Sequence, residues 1–241
     1  RMFATTTLDY PIEPTLTLLG DATGLAREAL LEKLGAIDKK ALDALLKSLG
    51  KKLDKPRVSL LKAELEALRQ AGFGVASFDE PGHGESEGEV TLGEGEKEAL
   101  ATVVDFVAEQ PDVQGGIGIL GFSVGGSAAV RVAADDRRVR SLVLCGTWTS
   151  LEGEFSYEFG RWGWLSQWPA LWALRVNGIH SEDVQPVSDI SHITPRPVLV
   201  ISGDADEVVP MEVSSALYSA SKPPHQWKVL PGTHHGDYAA S

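Results

Sequence analysis

The sequence predicts an α/β protein, a mostly parallel central sheet flanked by helices, and three observations carry that prediction. From Phe73 onward, short β-branched runs alternate with segments of helical period. Each strand candidate ends near Gly, Pro, Asp or Ser, the residues that turn a chain out of a strand. Apolar residues make up 43% of the 241 positions, enough to fill the core of a single domain spanning 1–241.

Taken in order, the strand candidates are Phe73 to Phe78, Ile117 to Leu120, Arg140 to Cys145, Val198 to Ser202 and Gln226 to Leu230. Helices are expected near Glu94 to Glu109, Val124 to Ala134 and Met211 to Ala220. Ahead of these, residues 25–55 are almost wholly Leu, Ala, Lys, Asp, Glu and Gly, and hold seven of the eleven lysines. Leu42, Leu45, Leu46 and Leu49 form an i, i+3, i+4, i+7 stripe, Asp38 can cap that helix, and Gly35 and Gly50 suit two helix ends. The segment therefore reads as a helical hairpin insert, either an ordinary packing element or lid, or an idealised one in which strong formers and clean caps agree. A third helix is expected over roughly Ser59 to Gln70. Residues 148–192 are long for a connection between two buried strands and read as a small helical cap. Trp162, Trp164, Trp168 and Trp172 cluster there, either packing the cap on the body or, with Trp148, walling a substrate pocket for an apolar acyl group.

Charge narrows the partners. Thirty-four acidic against 22 basic residues give −12, a surface that repels polyanions and argues against nucleic acid. One cysteine, Cys145, allows no internal disulfide and is simplest as a small buried strand residue; no Cys and His cluster has zinc spacing, so no metal is expected. His83, His180, His192 and His225 read as surface or loop residues. The longest uncharged run, Val113 to Val130, holds six glycines and is rejected as a membrane span. With no signal-peptide pattern at the start, a cytoplasmic location is expected, and a homodimer is left open.

The strongest chemical signal is Gly121-Phe122-Ser123-Val124-Gly125-Gly126, set between an apolar strand and an Ala- and Val-rich helix. A G-x-S-x-G turn of this kind strains its central residue and exposes the hydroxyl, with glycines preventing collision on either side. Ser123 is the candidate nucleophile. A serine needs a base and an orienting acid, and both can follow on later strand ends. Asp206 lies just past Val198 to Ser202, with Asp204 as the other acid candidate; His235 lies just past the last strand, with His234 beside it. Gly116-Ile117-Gly118-Ile119-Leu120-Gly121 matches G-x-G-x-x-G but spans a strand, which argues against dinucleotide binding.

With Phe78-Asp79-Glu80-Pro81-Gly82-His83-Gly84-Glu85-Ser86, similar to a D-x-x-G-H-G-x-S loop, these motifs make the chain from Phe73 to Tyr238 resemble the α/β-hydrolase superfamily, close to bacterial serine esterases with a short cap. The resemblance implies an α/β-hydrolase fold and a Ser123, Asp206, His235 triad, His235 being preferred because the family pattern sets the histidine two residues after the place of Thr233. It also implies an oxyanion hole in which the amide of Val124 is one donor. The second donor usually follows a central strand spelled His-Gly; here the nearest match is Thr15 to Leu19 as the strand, with the amides of Asp21 or Ala22 after it. The expected function is cleavage of a small-molecule carboxylic ester through an acyl-enzyme, without a cofactor. The alternatives are an acyltransferase or thioesterase using the same triad, and a catalytically silent redesigned hydrolase scaffold.

Overall fold

The computed structural model describes residues 2–7, 68, 70–83, 86–111, 113, 115–160 and 164–238. Six parallel strands form one sheet: β1 (Met2–Thr7), β2 (Gly74–Asp79), β3 (Ile117–Phe122), β4 (Val139–Cys145), β5 (Val198–Gly203) and β6 (His225–Leu230). They lie in the order β2-β1-β3-β4-β5-β6. Strand β3 is apolar almost throughout and buried on both faces, as a parallel strand covered by helices must be. β2, at the sheet edge, is exposed at intervals.

All five strands read from sequence are present, within a residue or two at each end. The central partner of β3 is different. That place belongs to Met2–Thr7, which pairs with β2 on one side and β3 on the other, Thr5 lying opposite both Ser77 and Leu120. This strand is Met-Phe-Ala-Thr-Thr-Thr, whose three threonines are β-branched and fit a pleated strand without making an apolar run. Thr15 to Leu19, Asp21, Ala22, the hairpin over 25–55 and most of the helix expected over Ser59 to Gln70 lie outside the described residues.

Helices α1 (Glu94–Ala108), α2 (Val124–Asp135) and α6 (Met211–Ala220) connect the strands. Leu100, Val104, Ile119, Ala128, Val132, Leu142, Leu144, Val200 and Leu217 fill the main core between sheet and helices. Helix α2 is buried at ten of its positions, so it sits inside the protein rather than on its surface. Between β4 and β5 the chain forms α3 (Leu151–Gly160), α4 (Trp164–Val176), a 3-10 turn at Ser181–Asp183, the short α5 (Pro186–Asp189) and a second 3-10 turn at Ile190–Ile193. Leu151 of α3 and Leu174 of α4 pack in one buried cluster with Trp148, Val184, Val209 and Val124, the first residue of α2. Arg131 of α2 fastens the far end of this excursion: its guanidinium donates to the Gly93 carbonyl at 3.1 Å and the Asp183 carbonyl at 3.4 Å, and pairs with Glu94.

Because every strand runs the same way, the loops after β2, β3, β4, β5 and β6 all open at one edge. The strand order reverses between β1 and β3, and a parallel sheet parts its loops into a crevice at such a reversal. Ser123 follows β3 directly, at that point.

Candidate active site

The strand-to-helix turn after β3 has the strain its spelling implies. Ser123 has φ 51° and ψ −117°, a backbone state that L residues avoid and that costs on the order of 1–3 kcal/mol. Its amide donates to the Cys145 carbonyl at 3.0 Å and its carbonyl accepts from Ser127 at 3.1 Å, so the turn is held from both sides. Two glycines are required by close approach. A Cβ on Gly121 would lie 2.6 Å from the Gly125 carbonyl oxygen, and one on Gly126 would collide with the Thr147 hydroxyl. The first turn of α2, beginning at Val124, presents amides that have no partner within a helix.

The loop after β5 supplies a carboxylate and the loop after β6 an imidazole. His235 Nδ1 lies 3.0 and 2.9 Å from the two oxygens of Asp206, and His235 Nε2 lies 3.1 Å from Ser123 Oγ. An ionised carboxylate only accepts, so Nδ1 carries the ring proton and Nε2 of the neutral ring is left to accept from the serine hydroxyl. The ring of Phe122 lies 4.7 Å from the imidazole, centre to centre. Ser123 and Asp206 are buried, and the His235 side chain is 14% exposed.

Asp206 also accepts from the amides of Val208 at 3.0 Å and Val209 at 2.8 Å. Burial alone would raise its pKa, but the hydrogen bond and charge of His235, with the Val209 amide and the Tyr238 hydroxyl, hold the carboxyl below the ordinary aspartate range. The other two candidates do different work. Asp204 accepts from the Gly232 amide at 2.6 Å and so ties the β5 loop to the β6 loop. His234 points away to Glu207, 3.0 Å off, in an exposed pair whose hydrogen bond and charge raise the histidine's pKa. The structure thus brings together Ser123, Asp206 and His235, and leaves Asp204 and His234 outside that chain of hydrogen bonds.

The described tryptophans differ widely in exposure. Trp148 is 2% exposed and belongs to the cluster around Val124, where it packs the excursion on the body; it offers almost no surface to a ligand. Trp168 is 70% exposed and Trp172 is 55% exposed, both on α4. Trp162 and the side chain of Trp164 lie outside the described residues.

Three features escaped the sequence reading. Tyr238 reaches into the site, its hydroxyl donating to Asp206 Oδ2 at 2.8 Å. His83, read as a surface or loop residue, lies in a turn but is buried; its Nδ1–H donates to the Pro81 carbonyl at 3.0 Å. The reason is the tight turn Glu80-Pro81-Gly82-His83, closed by the His83 amide on the Glu80 carbonyl at 2.9 Å with Gly82 at φ 73°, which folds the histidine back inward. Glu80 is fully buried, neither of its oxygens has a hydrogen-bond partner among the described residues, and burial, then the charge of Glu96, pushes its pKa up to about 8.

Among the described residues no group of three or more His, Cys, Asp and Glu could hold a metal ion, and no helix is long and apolar enough to cross a membrane.

A parallel sheet reversing at β1/β3, a strained serine after β3, and an acid and a histidine after the last two strands define the α/β-hydrolase fold. Solved structures agree. The α/β hydrolase GrgF from Penicillium sp. sh18 superimposes with a TM-score of 0.59 at 18% identity, over 75% of this chain and 78% of that one. Est1E from Butyrivibrio proteoclasticus, solved with ferulic acid bound, gives 0.57 at 25% identity over 73% and 75%. Within that superfamily the chain belongs to the family described as X-Pro dipeptidyl-peptidase (S15 family), whose model matches residues 47–178, more than half of its length. The uncharacterized protein Rv2307c of Mycobacterium tuberculosis is 30% identical over 179 residues, which are 73% of this chain and 58% of the relative. The chain therefore spans less than two thirds of the length of that curated relative. Family and neighbours together support a serine hydrolase in general.

Proposed function

We propose that the protein hydrolyses carboxylic esters through an acyl-enzyme on Ser123. The observation that carries this reading is the continuous chain from Ser123 Oγ through His235 to Asp206, at 3.1 Å and 2.9 Å. His235 Nε2 takes the serine proton as Oγ attacks the carbonyl carbon, and Asp206 holds the imidazole with Nδ1–H inward and stabilises the cation that forms. The tetrahedral oxyanion lies against the amide of Val124 at the start of α2, where the helix dipole adds to the hydrogen bond. Collapse expels the alcohol, which collects the proton from Nε2, and water repeats the sequence to release the acid. Residues 148–192 are a cap within one domain, and their packing on Val124 supports that role because it couples the cap to the residue beside the nucleophile.

A second reading, cleavage of peptide bonds, is favoured by the family match itself. The two differ in the leaving group: an amine must be protonated as it departs, an alkoxide leaves more readily. Fluorophosphonate labelling followed by peptide mapping tests the shared mechanism, with stoichiometric modification of Ser123 expected and none in His235→Ala. Comparing p-nitrophenyl acetate and butyrate with a Gly-Pro anilide then separates the readings. Ester kcat/KM well above that for the anilide is expected; the reverse overturns the ester reading in favour of the peptidase.

A further inference from the structure

Asp206 presents two oxygens to the site, and the groups around them are distinct. Oδ1 receives the Val208 and Val209 amides of its own loop. Oδ2 receives the hydroxyl of Tyr238, which itself accepts from the Gly203 amide, both at 2.8 Å. The tyrosine is wedged among the ends of three strands. Its ring lies 5.4 Å from that of Phe122 at the end of β3, and a Cβ on Gly146, just after β4, would stand 3.1 Å from its hydroxyl oxygen. The Gly203 amide that orients the hydroxyl closes β5. A phenol fixed by a backbone donor on its lone pair has one direction left for its proton, and that direction is Asp206.

We propose that Tyr238 is a positioning residue of the active site, acting through Asp206 to set how strongly the carboxylate draws on His235. This rests on the serine-hydrolase reading above. By donating to Oδ2, the phenol takes up part of the carboxylate charge and fixes the plane in which Nδ1–H must lie. Without that donor, more charge remains to stabilise the imidazolium, so His235 keeps its proton to higher pH and is less often ready as a base. Among the described residues, the ionisable groups facing Asp206 are His235 and Tyr238 bonded to it and Glu207 next in its loop, with the Cys145 thiol near the tyrosine.

Tyr238→Phe keeps the ring and removes only the hydroxyl. The rate of fluorophosphonate labelling and ester kcat, each expressed per site that can be labelled to completion, are followed from pH 5 to pH 9. Expected are a maximal kcat lower by about tenfold, KM little changed, and an acid limb moved up by about half a pH unit. Fluorotyrosine at position 238 keeps the fold contacts and strengthens the O–H as a donor, so it should move the limb the opposite way. An unchanged limb in both proteins, or a loss confined to the fraction of folded sites, overturns the inference and leaves Tyr238 a packing residue. Failure of the wild type to label at Ser123 overturns the serine-hydrolase reading and this inference with it; labelling of the wild type with no Tyr238 effect overturns this inference alone.

Discussion

Two buried carboxylates, both just past a strand end on the same edge of the sheet, have opposite fates. Asp206 accepts from Val208, Val209, His235 and Tyr238 and is held below the ordinary range. Glu80 accepts from no group among the described residues and is pushed up to about 8. Burial alone does not separate them, since both are buried, Asp206 at 6% exposed and Glu80 at 0%. The donors do: a carboxylate keeps its charge in the interior only where N–H and O–H groups replace the water it has lost. Glu96, on the helix that follows Glu80, is a third buried carboxylate. It is fully buried, and it accepts from the Thr91 amide and hydroxyl, the Leu92 amide at 3.3 Å and the Gly93 amide at 2.6 Å, capping the start of α1.

The sharpest break in this contrast is Asp206→Asn. It keeps the shape, but the amide can turn its NH2 toward the ring and favour the wrong tautomer, so kcat should fall by about 10⁴-fold with the fold intact. A loss smaller than tenfold in steady-state kinetics would mean that the carboxylate is not coupled to the chemistry.

The next effect belongs to Glu80 and its sign is fixed by linkage. The unfolded side chain loses its proton near pH 4.5, whereas the folded one keeps it until about 8. Between those values the native state binds the extra proton, so Glu80 erodes stability steadily as pH rises from 4.5 to 8, and no further above that. Glu80→Gln removes the erosion: urea unfolding should show the variant more stable than wild type by on the order of 5 kcal/mol at pH 9, with the gap closing at pH 4.5. A gap that is the same at both pH values would show that Glu80 is ionised in the native protein.

Ser123→Gly gives a smaller change of stability and an absolute change of activity. Glycine accepts φ 51° without strain, so the variant should unfold about 1 kcal/mol later while losing all labelling. A less stable Ser123→Gly protein would mean that the turn is not strained. Least of all, His234→Ala should change kcat/KM by no more than about twofold, because its partner Glu207 is an exposed carboxylate at the rim. A loss as large as that of His235→Ala would exchange the roles of the two histidines.

What could be read in advance followed from how local each requirement is. The turn at Ser123 must be spelled with small residues because Gly121 and Gly126 are closely approached, so the spelling betrays the geometry. Asp206 lies just past the apolar strand β5 and His235 past β6, whose residues alternate in burial, and the parallel run of the strands places both loops on one edge. Met2–Thr7 carried no such mark: a central strand rich in threonine shows neither an apolar run nor alternation, and its neighbours in the sheet are far along the chain. Glu80 sits in a stretch of Asp, Glu, Pro and Gly that reads as solvated loop until the Pro81-Gly82 turn folds it inward. Tyr238 is defined by the ends of β3, β4 and β5 at once, and no local pattern encodes a meeting of three strands.

Ser123 and His235 stand 112 residues apart in sequence, and the imidazole arrives on the loop that follows β6. No shorter stretch of chain can join them. Acquisition of reactivity toward a fluorophosphonate should therefore report when the whole span from the end of β3 to the loop after β6 has closed. In refolding it should lag the recovery of helical signal, because the contact it reports closes one of the longest loops in the molecule.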